Sequence, residues 1–128
     1  MVSDDPLVHR VETMWRAYLD DGLEAYLALC DDDCDFVPHA GGGRVLHGPD
    51  ELRAFYAERP NERLEATVYS IERHGDAVLI TGALRIMRRG SLTESQLAWV
   101  YHFSDGRLRT AVSYPSRTDA LRALAVAA

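Results

Sequence analysis

The chain has no lysine, only two cysteines in 128 residues, and no apolar run near the roughly 18 residues that a membrane span needs. Each shortage excludes something. The positive charges are all arginine and are scattered, and the net charge is -6, so the basic stripe that neutralises nucleic-acid phosphates is missing. Nucleic acid is not an expected partner, and neither is a membrane. Two cysteines are too few for a disulfide framework at this length; Cys30 and Cys34 are expected as free thiols, buried or half-buried, in a reducing compartment. The opening residues M-V-S-D-D-P-L-V-H-R are acidic and lack the basic and apolar regions of a secretion signal, so a cytoplasmic location is expected.

What is present is the composition of an ordinary globular protein, 47% hydrophobic and 27% charged. A chain of this size can bury about two-thirds of its unfolded surface around one core, so residues 1–128 are expected to form a single domain without a linker. From Leu7 to Leu19, apolar residues recur at three- and four-residue steps behind the start signal Ser3-Asp4-Asp5-Pro6, which predicts an amphipathic helix ending at Gly22. Leu23, Tyr26, Leu27 and Cys30 predict a second, short helix. Asp31 to Asp33 are expected at its solvated exit, because the helix dipole disfavours negative charge there. A strand is expected at Cys34 to Val37, a turn at glycines 41 to 43, and a strand at Arg44 to Leu46. In G-P-D-E-L-R-A-F-Y-A-E-R-P, Pro49 sits near the first helical position, acids fill the first turn and Pro60 is the stop.

Beyond Pro60 the period becomes two. Residues 63–73, 77–88, 91–104 and 107–115 are strand candidates separated by H-G-D, R-G and S-D-G, which predicts a four-stranded antiparallel meander. Ser116 and Asp119 form a capping pattern that opens a short Ala/Leu helix from about Thr118. With Arg89-Gly90 as a two-residue turn, counting outward sets Ile80 opposite Trp99, Val78 opposite Tyr101, Gly82 opposite Leu97 and Arg85 opposite Glu94. Val78, Ile80, Leu84, Leu97, Trp99 and Tyr101 then share the buried face. For the last strand the sequence leaves two alternatives: a two-residue S-D-G turn points Val112 and Tyr114 inward, and a glycine bulge points Ala111 and Ser113 inward.

Helices followed by a curved antiparallel sheet with an aromatic inner face make an α+β layout. The runs D-G-L-E-A-Y-L-A-L-C-D-D-D-C-D-F-V-P, V-L-H-G-P-D-E-L-R-A-F-Y and A-W-V-Y-H-F-S-D-G-R-L resemble the nuclear transport factor 2-like superfamily, and within it the SnoaL-like proteins and ketosteroid isomerase. The resemblance covers almost the whole chain and implies a cone-shaped fold with N-terminal helices packed on the sheet. It also implies a small, largely apolar ligand and a homodimer through the outer sheet face. Ketosteroid isomerase works with an aspartate base, a tyrosine and a protonated aspartic acid. Those positions fall here on Pro38, Met14 and Trp99, so that mechanism is not expected. The limonene epoxide hydrolase pattern of two aspartates bridged by arginine also fails, since the inner face carries no aspartate.

Other residues must then carry any chemistry. His39 lies one position from where a relative keeps its base, and a neutral imidazole is a competent general acid or base. The plainer reading is a solvated or hydrogen-bonded histidine on a loop before Gly41. His47 is expected at the surface or as a capping residue. A metal site from Cys30, Cys34, His39 and His47 is rejected, because the histidines are too far apart and separated by a strand; no metal or cofactor is expected. Trp15, Tyr18, Phe55, Leu84, Leu97, Trp99, Tyr101 and, by the resemblance, Ser113 are the candidate pocket residues, with Gly82 leaving room for an indole or a ligand beside Trp99. The functional expectation is a binder of a small apolar molecule, either an isomerase-, cyclase- or lyase-type enzyme with His39 as acid or base, or a non-catalytic ligand-binding, dimerisation or accessory module.

Overall fold

The structure, a computed structural model, describes residues 5–38, 42–59 and 62–127. Helix α1, Pro6–Asp21, starts where the capping signal predicts it: the Asp5 carboxylate accepts hydrogen bonds from Leu7 and Val8 N–H. Gly22, at φ 93°, breaks the chain into α2, Leu23–Leu27. Strands β1, Asp35–Val37, and β2, Leu46–His47, precede α3, Gly48–Ala57. Strands β3, Glu62–His74, β4, Ala77–Arg88, β5, Ser91–Ser104, and β6, Arg107–Tyr114, form the meander, and α4, Arg117–Ala127, closes the chain. Ser116 caps α4 by accepting from Asp119 N–H and donating to the Asp119 carboxylate.

The strands form one curved, unclosed sheet in the order β2-β1-β6-β5-β4-β3. It is mixed, not wholly antiparallel as expected, because β1 runs parallel to β6, with Phe36 beside Ala111. The β4–β5 register is the predicted one, from Arg88 opposite Ser91 through Ile80 opposite Trp99 to Val78 opposite Tyr101. The S-D-G turn is the two-residue form, with Asp105 at φ 53° and Gly106 at φ 76°. The alternation nevertheless flips one step later. His102 pairs with Thr110 and Phe103 with Leu108, so Arg109 is an extra residue, and beyond it Ala111 and Ser113 turn to the inner face.

A second bulge, at Tyr69, lies between the pairs Val68–Gly82 and Ser70–Thr81. Gly82 sits against it. A Cβ placed there would collide with the Thr67 carbonyl oxygen and come within 3.3 Å of the Trp99 ring. The space left by this glycine is therefore taken by the neighbouring strand's backbone and an indole edge.

The main core lies between α1–α3 and the inner sheet face, where Val11, Met14, Leu46 and Ile80 are fully buried. A smaller apolar cluster lies on the outer face: Ala77, Leu79, Ala98 and Val100 are covered by Ala120, Leu121 and Leu124 of α4. The face expected to hold a partner copy is thus partly covered by the chain's own last helix. The exit of α2 also departs from expectation. Asp31 is not a solvated acid: its side chain is 19% exposed, accepts from Leu108 N–H, and pairs with Arg10 at 3.1 Å and Arg107 at 3.7 Å. Asp33 pairs with Arg109 at 2.6 Å. Arginines from α1 and β6 converge there and outweigh the helix dipole, tying the helical layer to the β5–β6 hairpin.

Gly82→Ala is expected to destabilise the fold by about 1–3 kcal/mol, the usual cost of overpacking. Urea unfolding of the variant against the parent chain reads this; an unchanged midpoint would show that the sheet yields freely at this point.

Candidate functional site

The helices and the concave face of the sheet do not fill the space between them. A cavity of about 110 Å³ remains, walled by Trp15 and Tyr18 of α1, Leu23 and Tyr26 of α2, and Leu52 and Tyr56 of α3. Its other walls are Phe36, Val37 and Pro38 at β1, Leu64 and Ala66 of β3, Leu84 of β4, Trp99 and Tyr101 of β5, and Ala111 of β6. Charged side chains are absent from this wall among the described residues. A dry apolar cavity of about 150 Å³ accepts a benzene, so the space here is of the order of one small ring.

The polar groups in the wall are aromatic. Tyr26 and Tyr101, both buried, share a hydrogen bond of 2.6 Å between hydroxyls. Tyr18 and Tyr56 also line the space, each only partly buried. Burial raises the pKa of all four above the ordinary phenol range, most strongly for the Tyr26–Tyr101 pair, so they remain protonated donors at neutral pH. Trp15 meets Trp99 edge to face, with centroids 4.8 Å apart, and its buried Nε1 has no hydrogen-bond partner among the described residues.

Of the residues named from the sequence, Trp15, Tyr18, Leu84, Trp99 and Tyr101 lie in the cavity wall. Phe55 does not; it is buried on α3, with the Arg59 guanidinium 3.8 Å from its ring centroid. Leu97 is buried opposite Gly82, outside the wall. Ser113 is on the inner face, but its hydroxyl donates to Val37 C=O at 2.9 Å and so fastens β6 to β1. His39 lies outside the described residues. Tyr26 and Tyr56 were not among the named pocket residues. The signal for Tyr56 was its place four residues after Leu52, on one face of α3.

A model of the SnoaL-like domain matches residues 11–111. The chain belongs to the SnoaL-like domain family. No curated protein sequence matches it significantly. Among solved structures this SnoaL-like chain resembles a nuclear transport factor 2-like protein of unknown function from Burkholderia pseudomallei, at 21% identity and TM-score 0.73 over 88% of this chain and 92% of the other. It also resembles an LEH-like epoxide hydrolase from M. tuberculosis, at 18% identity and TM-score 0.68 over 93% and 89%. A third is a protein of ketosteroid isomerase-like fold from Catenulispora acidiphila, solved with trimethylamine, at 20% identity and TM-score 0.69 over 88% and 89%. At these identities the likeness is one of fold.

The three positions onto which the sequence resemblance lays the isomerase's catalytic groups are apolar or indole in this SnoaL-like chain. Pro38 and Trp99 stand in the cavity wall and Met14 is fully buried. Among the described residues the other titratable groups singled out from the sequence lie elsewhere. His47 is 67% exposed at the start of α3 and its Nδ1 is 2.8 Å from the Asp35 carboxylate, which raises its pKa above the usual imidazole value. Cys30 is half-buried and Cys34 fully buried, both as free thiols. Burial, and then the Asp31 charge, pushes the Cys30 thiol up to about 12, and burial raises Cys34 further. Among the described residues no three His, Cys, Asp or Glu side chains are placed to share a metal ion.

Two outcomes are expected. A thiol-reactive disulfide reagent at pH 8 should label native Cys30 and Cys34 slowly and the urea-unfolded chain at once, because the thiolate is the nucleophile; rapid native labelling would contradict the buried thiols. In an NMR titration, His47 should deprotonate at higher pH than an unperturbed histidine, and Asp35→Asn should bring it back. The sign follows from the raised folded-state pKa: the contact stabilises the fold below the unfolded pKa and is lost as pH rises through the folded one.

Proposed function

We propose that this SnoaL-like chain holds a small, largely apolar molecule of single-ring size in its aromatic cavity, in the cytoplasm, as a ligand-binding or accessory protein. The observation that carries this is the wall itself. It offers aromatic and aliphatic surface with a few neutral hydrogen-bonding tips, and among the described residues it offers no carboxylate or imidazole to move a proton. The unfilled space weighs against a purely structural module. A homodimer belongs to the same reading, confined to the end of the outer face that α4 leaves open, where the cross-strand neighbours Met87 and Leu92 are exposed.

A second reading has one observation in its favour. Pro38 stands in the cavity wall, and His39 is the next residue in the chain. An acid or base there would make the site an isomerase-, cyclase- or lyase-type centre. The epoxide hydrolase of M. tuberculosis is an enzyme of related fold, although a shared fold does not carry its chemistry across.

Native mass spectrometry of the protein as purified, set against its denatured mass, tests the first reading and gives the oligomeric state in the same spectrum. A retained small molecule is expected, and Ala66→Phe, which projects a ring into the cavity, should abolish its retention. Retention unaffected by Ala66→Phe would move the ligand out of this cavity and end the reading. For the second, His39→Ala should cut turnover of the identified ligand at least a hundredfold, the usual contribution of a general acid or base; unchanged turnover would remove His39 from the chemistry.

A further inference from the structure

The chain gathers its electron-rich rings in one place. Both of its tryptophans and four of its six tyrosines line the cavity, as Trp15, Trp99, Tyr18, Tyr26, Tyr56 and Tyr101. The main core is built differently: its fully buried members Val11, Met14, Leu46 and Ile80 are aliphatic or thioether side chains. A neutral hydrocarbon would be held as well by aliphatic surface of that kind, so hydrophobicity alone does not require the rings. The rings also meet at steep angles. Trp15 stands at 63° to Trp99 with centroids 4.8 Å apart, and Tyr18 at 81° to Tyr26 with centroids 6.0 Å apart. Each pair makes a corner, and the wall sets both corners around one space. The face of an aromatic ring carries partial negative charge, and rings turned across one another are the walls of a cage for a cation.

We propose, on the reading that this cavity binds a small molecule of largely apolar surface, that its occupant carries a fully methylated ammonium group. The outer surface of such a group is methyl carbon, and it has no N–H, so it asks the wall for no hydrogen-bond acceptor. An ammonium that keeps N–H protons needs one. The described wall has no carboxylate, and the buried Tyr26 and Tyr101 hydroxyls are spent on each other at 2.6 Å. No arginine lines the described wall to repel a cation, and the net charge of -6 draws one towards the chain. An anion would be buried there without a partner. The space of about 110 Å³ suits one compact group of this kind, about the size of a small ring.

Choline and its neutral isostere 3,3-dimethylbutanol test this, because one has nitrogen at the branch point and the other carbon, so they differ in charge and hardly in shape. The two tryptophans of the chain both stand in the cavity wall, so their indole N–H signals in a nitrogen-proton correlation spectrum report occupancy directly. For the same reason, replacing tryptophan throughout by a fluorinated tryptophan weakens the negative ring faces at the cavity and nowhere else. If the fluorinated chain does not fold, Trp99→Phe, which leaves a weaker ring face in place, takes its part. Choline is expected to bind the parent chain at least about fivefold more tightly than the alcohol, the scale of a desolvated cation–π contact. In the fluorinated chain it should lose roughly that factor while the alcohol stays within about twofold of its parent value. The proposal is overturned, with the cavity still a binding site, if the alcohol binds the parent chain as tightly as choline or if fluorination weakens both alike. Should neither compound move an indole signal in the parent chain, both this proposal and the reading beneath it fall.

Discussion

The structure depends on a sheet that bends. A flat six-stranded sheet would present a plane to α1, α2 and α3, and helices laid on a plane leave no enclosed space. Two bulges prevent this. One, at Tyr69, brings the Thr67 carbonyl over Gly82, where any side chain would block the approach. The other, at Arg109, turns the last strand so that Ala111 faces inward and Ser113 can reach β1. The concavity between these two points lets residues from eight different elements face one another, and the single missing side chain at position 82 makes it possible.

The chemistry of the concavity follows from what burial permits. Isolated hydroxyls in an aromatic wall would be costly, and Tyr26 and Tyr101 meet that cost by pairing. Pairing and burial also hold their protons in place, so the wall donates without ionising. Trp99 and Pro38 stand in the same wall and Met14 is fully buried. The polar character of the cavity lies in tyrosines contributed mainly by the helices.

The parts of this arrangement legible in the sequence were those set by local rules. The whole β4–β5 register followed from the two-residue Arg89-Gly90 turn, and with it the inward placement of Trp99 and Tyr101. The caps at Asp5 and Ser116 were equally plain. The face of β6 was not, because its flip occurs at Arg109, past the turn where glycine and aspartate carry the visible signal. Nor was the role of Asp31, whose N–H partner Leu108 lies 77 residues away. Tyr26 and Tyr56 look in sequence like any core aromatics of short amphipathic helices. Only their distance from Tyr101 and Tyr18 distinguishes a wall from a core. The outer face read as open because nothing local says where the Ala/Leu helix after Ser116 will settle.

The parallel pairing of β1 with β6 has a consequence for how the molecule is made. The meander can form hairpin by hairpin, each strand meeting one already in place. Strand β1 has only the two residues of β2 as a local partner, and its other edge belongs to β6. Its residues 35–37 must wait for residues 110–112, across an intervening loop that is costly to close. Phe36, Val37 and Ala111, which complete the cavity on that side, therefore come together only after the chain has been synthesised through β6. The pocket exists only in molecules whose first and last strands have already met, and any ligand that binds it selects for that closure over every partly folded form.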